Sequence, residues 1–255
     1  MTLAFPDGLL LTAAAFLAGL VDAAAGGGGL IQIPALMGTF PQSPLATLFG
    51  TNKLASIAGT ASAAWRLGRR IPISWKLMVP AMMAAMCGAW LGAAIVSWIP
   101  RPILRPLVLV LLLAVALHTF LHKQFGHLPS RHAWHPGDQW RSALIGLVLG
   151  FYDGFFGPGT GSFLIFAFIR WLGMDFLQAS ASAKVINVAT NLAAITFFTA
   201  HVPLLWGACL LMGIGNITGA QVGTFLALKK GSPFLRLAFL GVVVALMLKL
   251  AWELL

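Results

Sequence analysis

The chain has 255 residues, of which 59% are hydrophobic and 9% charged, with a formal net charge of +10. Soluble domains carry about 25% charged residues, so this composition excludes a water-soluble fold that covers itself with polar side chains. The positive charge has no folded basic module to carry it, which excludes a nucleic-acid partner.

The apolar residues come in long runs, such as Leu107–Phe120 and Phe239–Leu248, without the period-2 alternation of a membrane barrel. Only helices and closed barrels satisfy their backbone groups in lipid, and a spanning helix needs roughly 20 apolar residues. The fold class is therefore all-α, a polytopic membrane protein with the lipid bilayer as its solvent. The chain start, Met1 to Leu10, has no Lys or Arg ahead of its apolar run; it lacks the basic region of a signal peptide and reads as the lead into the first helix.

In chain order the expected elements are a helix over Leu9–Ala25, a glycine-rich break over Gly26–Gly29, and a short apolar segment over Leu30–Gly38. Helices over Pro44–Leu67, Ser74–Ile99 and Pro102–Leu121 follow. A polar inter-repeat loop, His122–Arg141, divides the chain. The second half is expected to form Ser142–Phe156, a break over Gly157–Gly161, then Ser162–Leu172, Phe176–Ala200, Leu204–Leu228 and Phe234–Leu254. The units are thus a first transmembrane repeat over 1–121, the loop over 122–141 and a second repeat over 142–255.

The two halves match at a single ungapped shift of 131 positions. Gly19, Asp22, Gly26 and Gly28 fall on Gly150, Asp153, Gly157 and Gly159; Lys53 falls on Lys184, Pro72 on Pro203 and Trp75 on Trp206. Gly88, Ala89 and Gly92 fall on Gly219, Ala220 and Gly223, and Pro102, Leu104 and Arg105 on Pro233, Leu235 and Arg236. Internal repeats are a mark of transporter folds. Counting the short segment as a crossing gives each half an odd number of spans, so the halves are expected to be inverted. The charges agree under the positive-inside rule. Arg66, Arg69, Arg70 and Lys76 flank one loop whose counterpart near His201 has no Lys or Arg, whereas Thr39–Ser43 has none and its counterpart region has Arg170. Lys123, Arg131, Arg141, Lys229, Lys230 and Arg236 join the same cytoplasmic side; Arg101, Arg105 and Lys249 do not.

Four ionisable residues stand out. Lys53 and Lys184 each sit about nine residues inside an apolar helix, where a charge costs at least about 3 kcal/mol and easy snorkelling is out of reach. They suit an anionic ligand, or a buried pair that pins the halves together. Asp22 and Asp153 each lie four residues before a glycine-rich break, as coupling or gating carboxylates, as partners of the lysines, or as local supports of the break. The breaks, Gly26, Gly27, Gly28 and Gly29 in one half and Gly157, Pro158, Gly159, Thr160 and Gly161 in the other, place helix N-termini at membrane depth, where their N–H groups favour an anion. Glycine there also serves close helix packing. Thr51, Asn52 and Ser56 flank Lys53, and Ser180, Ser182, Asn187 and Asn191 flank Lys184. Lys184, Asn187 and Asn191 share a helix face, as ligand contacts or as interhelical hydrogen bonds. Asn216 and Gln221 are lesser candidates.

Other features point to less. Cys87 and Cys209 read as buried free thiols. Five of the six histidines lie between His118 and His135 without the convergent spacing of a metal site, and no cofactor is called for. Trp75, Trp134, Trp140 and Trp206 fit interfacial anchoring.

The segments GLVDAAAGGGGLIQIP with FGTNKLASIAGT, and GFYDGFFGPGTGSF with SASAKVINVATN, resemble the sulfite exporter TauE/SafE family, also called the toluene-sulfonate uptake permease family. The resemblance covers essentially the whole chain. It implies a multi-pass permease of the bacterial inner membrane that moves small sulfur-containing anions such as sulfite or organosulfonates. By resemblance the motif positions are Asp22, Gly26–Gly29, Thr51, Asn52, Lys53, Asp153, Gly157, Pro158, Gly159, Gly161, Lys184 and Asn187. Ala183 stands where the first half has Asn52, so the two lysines need not play equal roles. The substrate site is then Lys53, Lys184, Asn52, Thr51, Asn187, Asn191 and the break glycines, between halves that alternate access.

A proton- or cation-coupled carrier built on Asp22 and Asp153, with structural lysines, is the alternative. An enzyme is not expected, since no His or Cys stands beside the Asp and Lys positions, and there is no nucleotide-binding glycine loop. Import or export, proton coupling and homo-oligomer formation stay open.

Overall fold

The computed structural model describes residues 5–121, 135 and 137–230, and the described residues form nine helices. In chain order these are α1 (Phe5–Ala25), α2 (Gly29–Thr39), α3 (Leu45–Gly68), α4 (Trp75–Trp98), α5 (Arg101–Leu121), α6 (Asp138–Phe155), α7 (Thr160–Leu172), α8 (Phe176–His201) and α9 (Trp206–Lys230). The expected helix Phe234–Leu254, its matches Pro233, Leu235 and Arg236, and the loop residues 122–134 lie outside the described residues.

The expected elements are present with shifted ends. The inter-repeat loop stops earlier than expected, because α6 already begins at Asp138, whose carboxylate accepts the His135 N–H at 2.9 Å. The breaks are also shorter: Gly29 belongs to α2, and Thr160 and Gly161 belong to α7. Among the described residues, four helices are long and apolar enough to cross a bilayer, over Phe5–Ala23, Trp75–Trp98, Phe176–His201 and Trp206–Lys229. α3 has the length, at 24 residues, but Thr51, Asn52, Lys53, Ser56 and Thr60 dilute its hydropathy. Those polar groups face protein, which is where intramembrane polar residues belong.

α2 and α7 are short helices of 11 and 13 residues. In α2 every residue from Leu30 to Met37 is buried, as expected of a helix apolar all round. Most exposed tryptophans among the described residues sit at or near helix ends, namely Trp65, Trp75, Trp98, Trp140, Trp171 and Trp206, as in an interfacial belt, whereas exposed Trp90 lies within α4. Cys209 is buried as expected, but Cys87 is exposed on α4, because α4 buries its small face of Ala81, Ala85, Gly88, Ala89 and Gly92 against neighbours.

The most extensive helix packing runs across the halves. α1 lies on α9, with Thr12, Phe16 and Leu20 meeting Gly215, Gly219 and Gly223. α4 lies on α6, with Ala81, Ala85 and Ala89 meeting Gly146, Gly150 and Gly154. Residue numbers rise together on both seams, so each pair is parallel. Main chains touch here: a Cβ added to Gly219 would stand 1.9 Å from the Phe16 carbonyl oxygen, and one added to Gly154 would stand 1.9 Å from that of Ala89. Such close approach is what small residues provide between helices in lipid. The two seams repeat the shift seen in the sequence. Gly88 and Gly92 press on Leu147 and Phe151, and 131 positions later Gly219 and Gly223 press on Phe16 and Leu20.

α3 and α8 fill the centre. α3 runs parallel to α9, since Thr51 meets Leu205 and Cys209, Gly59 meets Asn216, and Ser62 meets Gln221. α3 runs antiparallel to its counterpart α8, with Gly50 against Phe198 and Leu67 in one cluster with Ala181. α3 and α8 each carry one of the intramembrane lysines.

Candidate functional site

α1 ends because Gly26 and Gly27 take φ of +73° and +114°, which L side chains rarely adopt. In the second half Gly157 and Gly159 do the same at +94° and +82°. The two breaks meet. Gly26 packs so closely on Gly161 and Ser162 that a Cβ there would stand 2.6 Å from their main chains. Ser162 Oγ donates to the Gly26 carbonyl at 3.1 Å, and Gly29 packs on Pro158. The N-termini of α2 and α7 therefore converge on one point, where their partial positive charges add.

The ionisable residues pair crosswise. Lys53 of the first half lies 2.6 Å from Asp153 Oδ2 of the second, and Lys184 of the second lies 2.9 Å from Asp22 Oδ2 of the first. Neither lysine pairs with the aspartate of its own half. Both lysines are buried, Lys184 completely and Lys53 at 4% exposure. Such depth requires a partner, since an unpaired charge out of water costs several kcal/mol.

The pairs differ in their supports. Asp22 Oδ1 accepts the Gly27 N–H at 3.2 Å and the Gly28 N–H at 3.5 Å, and Lys184 also donates to the Asp22 main-chain carbonyl. Asp153 has the ion pair alone, and its Oδ2 has no partner of hydrogen-bond geometry among the described residues. The lysine amine of Lys53 sits against the bare face of Gly157, 3.2 Å from where a Cβ would project.

Between the pairs lies a cavity of about 40 Å³, room for roughly two or three water-sized occupants. α3 lines it with Asn52, Lys53, Ser56 and Thr60, α8 with Asn187 and Asn191, and α9 with Asn216. Asp22, Asp153, Gly27, Gly28, Gly29, Gly157, Thr160 and Gly161 complete the wall. Asn52 Oδ1 and Asn187 Oδ1 are buried without a hydrogen-bond partner among the described residues, so each side chain has an acceptor to spare.

The structure thus brings most of the sequence-derived candidates to one place, with exceptions. Thr51 turns away: its Oγ1 accepts the Leu205 N–H at 3.2 Å on the α3–α9 seam. Lys184 reaches the cavity only through Asp22, and Gly26 and Gly159 shape the breaks without lining the cavity. Gln32 was not singled out by the sequence, yet it is fully buried and its Oε1 accepts from Ser56 Oγ at 2.7 Å. A lone glutamine in an otherwise apolar short helix is a signal that could have found it. Tyr152, the single tyrosine, was missed too; its hydroxyl donates to the Pro158 carbonyl at 2.7 Å and ties α6 to the break.

Known proteins give this arrangement a context. The sulfite exporter TauE/SafE family matches residues 11–250. A probable membrane transporter protein, ORF9, of a Sinorhizobium species is 39% identical over 97% of this chain and 94% of its own length. A probable membrane transporter protein of Haemophilus influenzae is 34% identical over 89% of this chain and 88% of its own. The probable membrane transporter protein YfcA of Escherichia coli K12 is 32% identical over 94% and 87%. No solved structure matches. With most of its length matched in sequence, and its helices packed as a multi-pass bundle, the chain belongs to the sulfite exporter TauE/SafE family of membrane transporters.

Proposed function

We propose that this transporter carries a small oxyanion of sulfur, sulfite or an organosulfonate, across the bacterial inner membrane by alternating access. The observation that carries the reading is the cavity where two helix N-termini converge beside Lys53 and the side chains of Asn52 and Asn187, whose amide nitrogens carry donors. These groups donate hydrogen bonds or supply positive potential, which is what an oxyanion needs away from water. The site residues are Lys53, Asn52, Asn187, Asn191, Gly27, Gly28, Gly29, Gly157 and Gly161, with Asp22 and Asp153 as the coupling or gating carboxylates. Its volume suits a compact anion better than a bulky one. The two halves are inverted across the membrane, in keeping with the antiparallel packing of α3 and α8 and with the distribution of Lys and Arg.

The test is flux into proteoliposomes. Sulfite, sulfoacetate, sulfate, phosphate and chloride are compared at matched ionic strength and pH, alongside the melting temperature of the detergent-purified protein. A ligand at 100 times its dissociation constant stabilises by about 2.7 kcal/mol. A sulfur anion that is transported and raises the melting temperature supports the reading; flux that follows cation identity and ignores the anion refutes it.

One observation favours the alternative of a proton- or cation-coupled carrier with structural lysines: each lysine already has a carboxylate within 3 Å. The same flux experiment separates the two.

A further inference from the structure

We infer that the two ion pairs do unequal work: an arriving anion takes the place of Asp153 beside Lys53, while Lys184 and Asp22 stay closed as a fixed strut. This rests on the anion reading above and names the lysine that serves it.

The inequality begins in the covalent structure. In the first half, Asp22 is held by the N–H of Gly27 as well as by that of Gly28 and by Lys184. The position equivalent to Gly27 in the second half is Pro158, which has no N–H to give. Asp153 is left with one contact, the Lys53 amine at 2.6 Å. Removing Asp22 from its place breaks three interactions; removing Asp153 breaks one.

Access points the same way. Lys53 and Asp153 both line the cavity, whereas Lys184 does not and is fully buried behind Asp22. Beside Lys53, Asn52 lines the cavity, and its side-chain amide carries N–H donors for an oxyanion. The counterpart of Asn52 is Ala183, which offers nothing. An anion at Lys53 finds the Asn52 amide beside it, a donor with no counterpart next to Lys184.

Displacement has an electrostatic consequence. The charges facing Asp153 are Lys53 from α3 and, across the cavity, Asp22 from α1 with Lys184 of α8 behind it. α4 meets α6 through Ala85, Ala89 and glycines, α7 contributes Thr160 and Gly161, and α8 contributes Asn187 and Asn191, all neutral. Once a monoanion holds Lys53, the cluster stays neutral only if a proton from solvent binds the released Asp153 carboxylate. A buried unpaired carboxylate is the costly alternative. Anion and proton then enter together, one of each.

The test uses the whole protein in detergent, lightly buffered at pH 7, with sulfite for affinity and methanesulfonate, which has no titrating group near that pH, for proton counting with a pH dye. Wild type is expected to take up about one proton per methanesulfonate bound. Asp153→Asn removes the competing carboxylate. It is expected to bind sulfite at least tenfold more tightly and to take up no proton, even though the unliganded variant is less stable. Asp22→Asn is expected to show no gain. The wild-type proton count stands without any variant, should Asp22→Asn fail to fold. Equal or weaker binding by Asp153→Asn, a gain in Asp22→Asn, or zero proton uptake by wild type overturns the inference and leaves the anion reading intact. Absence of any anion binding by wild type overturns both.

Discussion

Lys53 reaches out of its own half of the chain to Asp153, 2.6 Å away, and leaves Asp22 to Lys184. Each half therefore neutralises the other, and the pairs fasten the two halves together. Breaking one partner of a buried pair costs about 3–5 kcal/mol, whereas replacing both by apolar residues of similar size is often neutral. Lys53→Met is expected to lower the melting temperature sharply. The double variant Lys53→Met/Asp153→Leu is expected to recover most of it without recovering transport. A double variant as unstable as the single one would show that the pair is not what destabilises it.

Gly157 gives a sharper probe of the site. Its φ of +94° strains any L side chain, and an added Cβ would stand 3.2 Å from the Lys53 amine, close enough to displace it by a few tenths of an ångström. Gly157→Ala is expected to cost about 1–3 kcal/mol through backbone strain and to abolish flux by pushing Lys53 aside. Gly207→Ala, in α9 with open space around it, is the control. It should gain a few tenths of a kcal/mol, up to about 1, from helix propensity, with flux unchanged.

The glycine seams predict matched damage in two places. Gly154→Val drives a side chain into the Ala89 carbonyl, and Gly219→Val drives one into that of Phe16. Neighbouring main chain must move in both cases, so each is expected to cost about 3 kcal/mol or more, at the upper end of overpacking. Melting temperatures of the two variants should fall together. A large loss at one seam and none at the other would contradict the pairing of α1 with α9 and α4 with α6.

Inverted halves make a prediction about sidedness. In a background lacking Cys87 and Cys209, single cysteines at Arg70 and Val202 lie in counterpart turns after α3 and α8. An impermeant thiol reagent should label them from opposite faces of the membrane. Labelling from one face would rule out the inversion.

Much of this was legible in the sequence, for physical reasons. A lysine or aspartate in an apolar helix is expensive, so its presence at equivalent places in both halves marks a site before any coordinates are known. The glycine runs were equally plain, because few other residues accept the backbone angles found at Gly26 and Gly157. What stayed hidden was partnership. Nothing local tells Lys53 from Lys184 in choosing between Asp22 and Asp153, since that choice depends on how α3 and α8 cross. Thr51 looked like a neighbour of the site because it adjoins Asn52 in sequence, yet one residue along a helix is a turn of about 100°, enough to aim it at Leu205. Gln32 was overlooked because its counterpart is Phe163 and the repeat gave it no echo. Cys87 was expected to be buried because its helix is apolar, but in a membrane protein an apolar face is as much at home toward lipid.

The crossing of α1 onto α9 and of α6 onto α4 also bears on how the protein is made. During synthesis α1 emerges about 200 residues before the helix whose glycines receive its Thr12, Phe16 and Leu20 face. At 5–20 residues per second, that wait lasts on the order of 10 s or longer. α4 and α6 complete each other early, whereas α1 and α2 must sit in the bilayer as an unfinished structure until α9 arrives. A chain truncated after α8 would therefore hold one finished seam and one open groove. The open groove would make such fragments natural targets for membrane quality control, and a separately expressed second half would be able to close it.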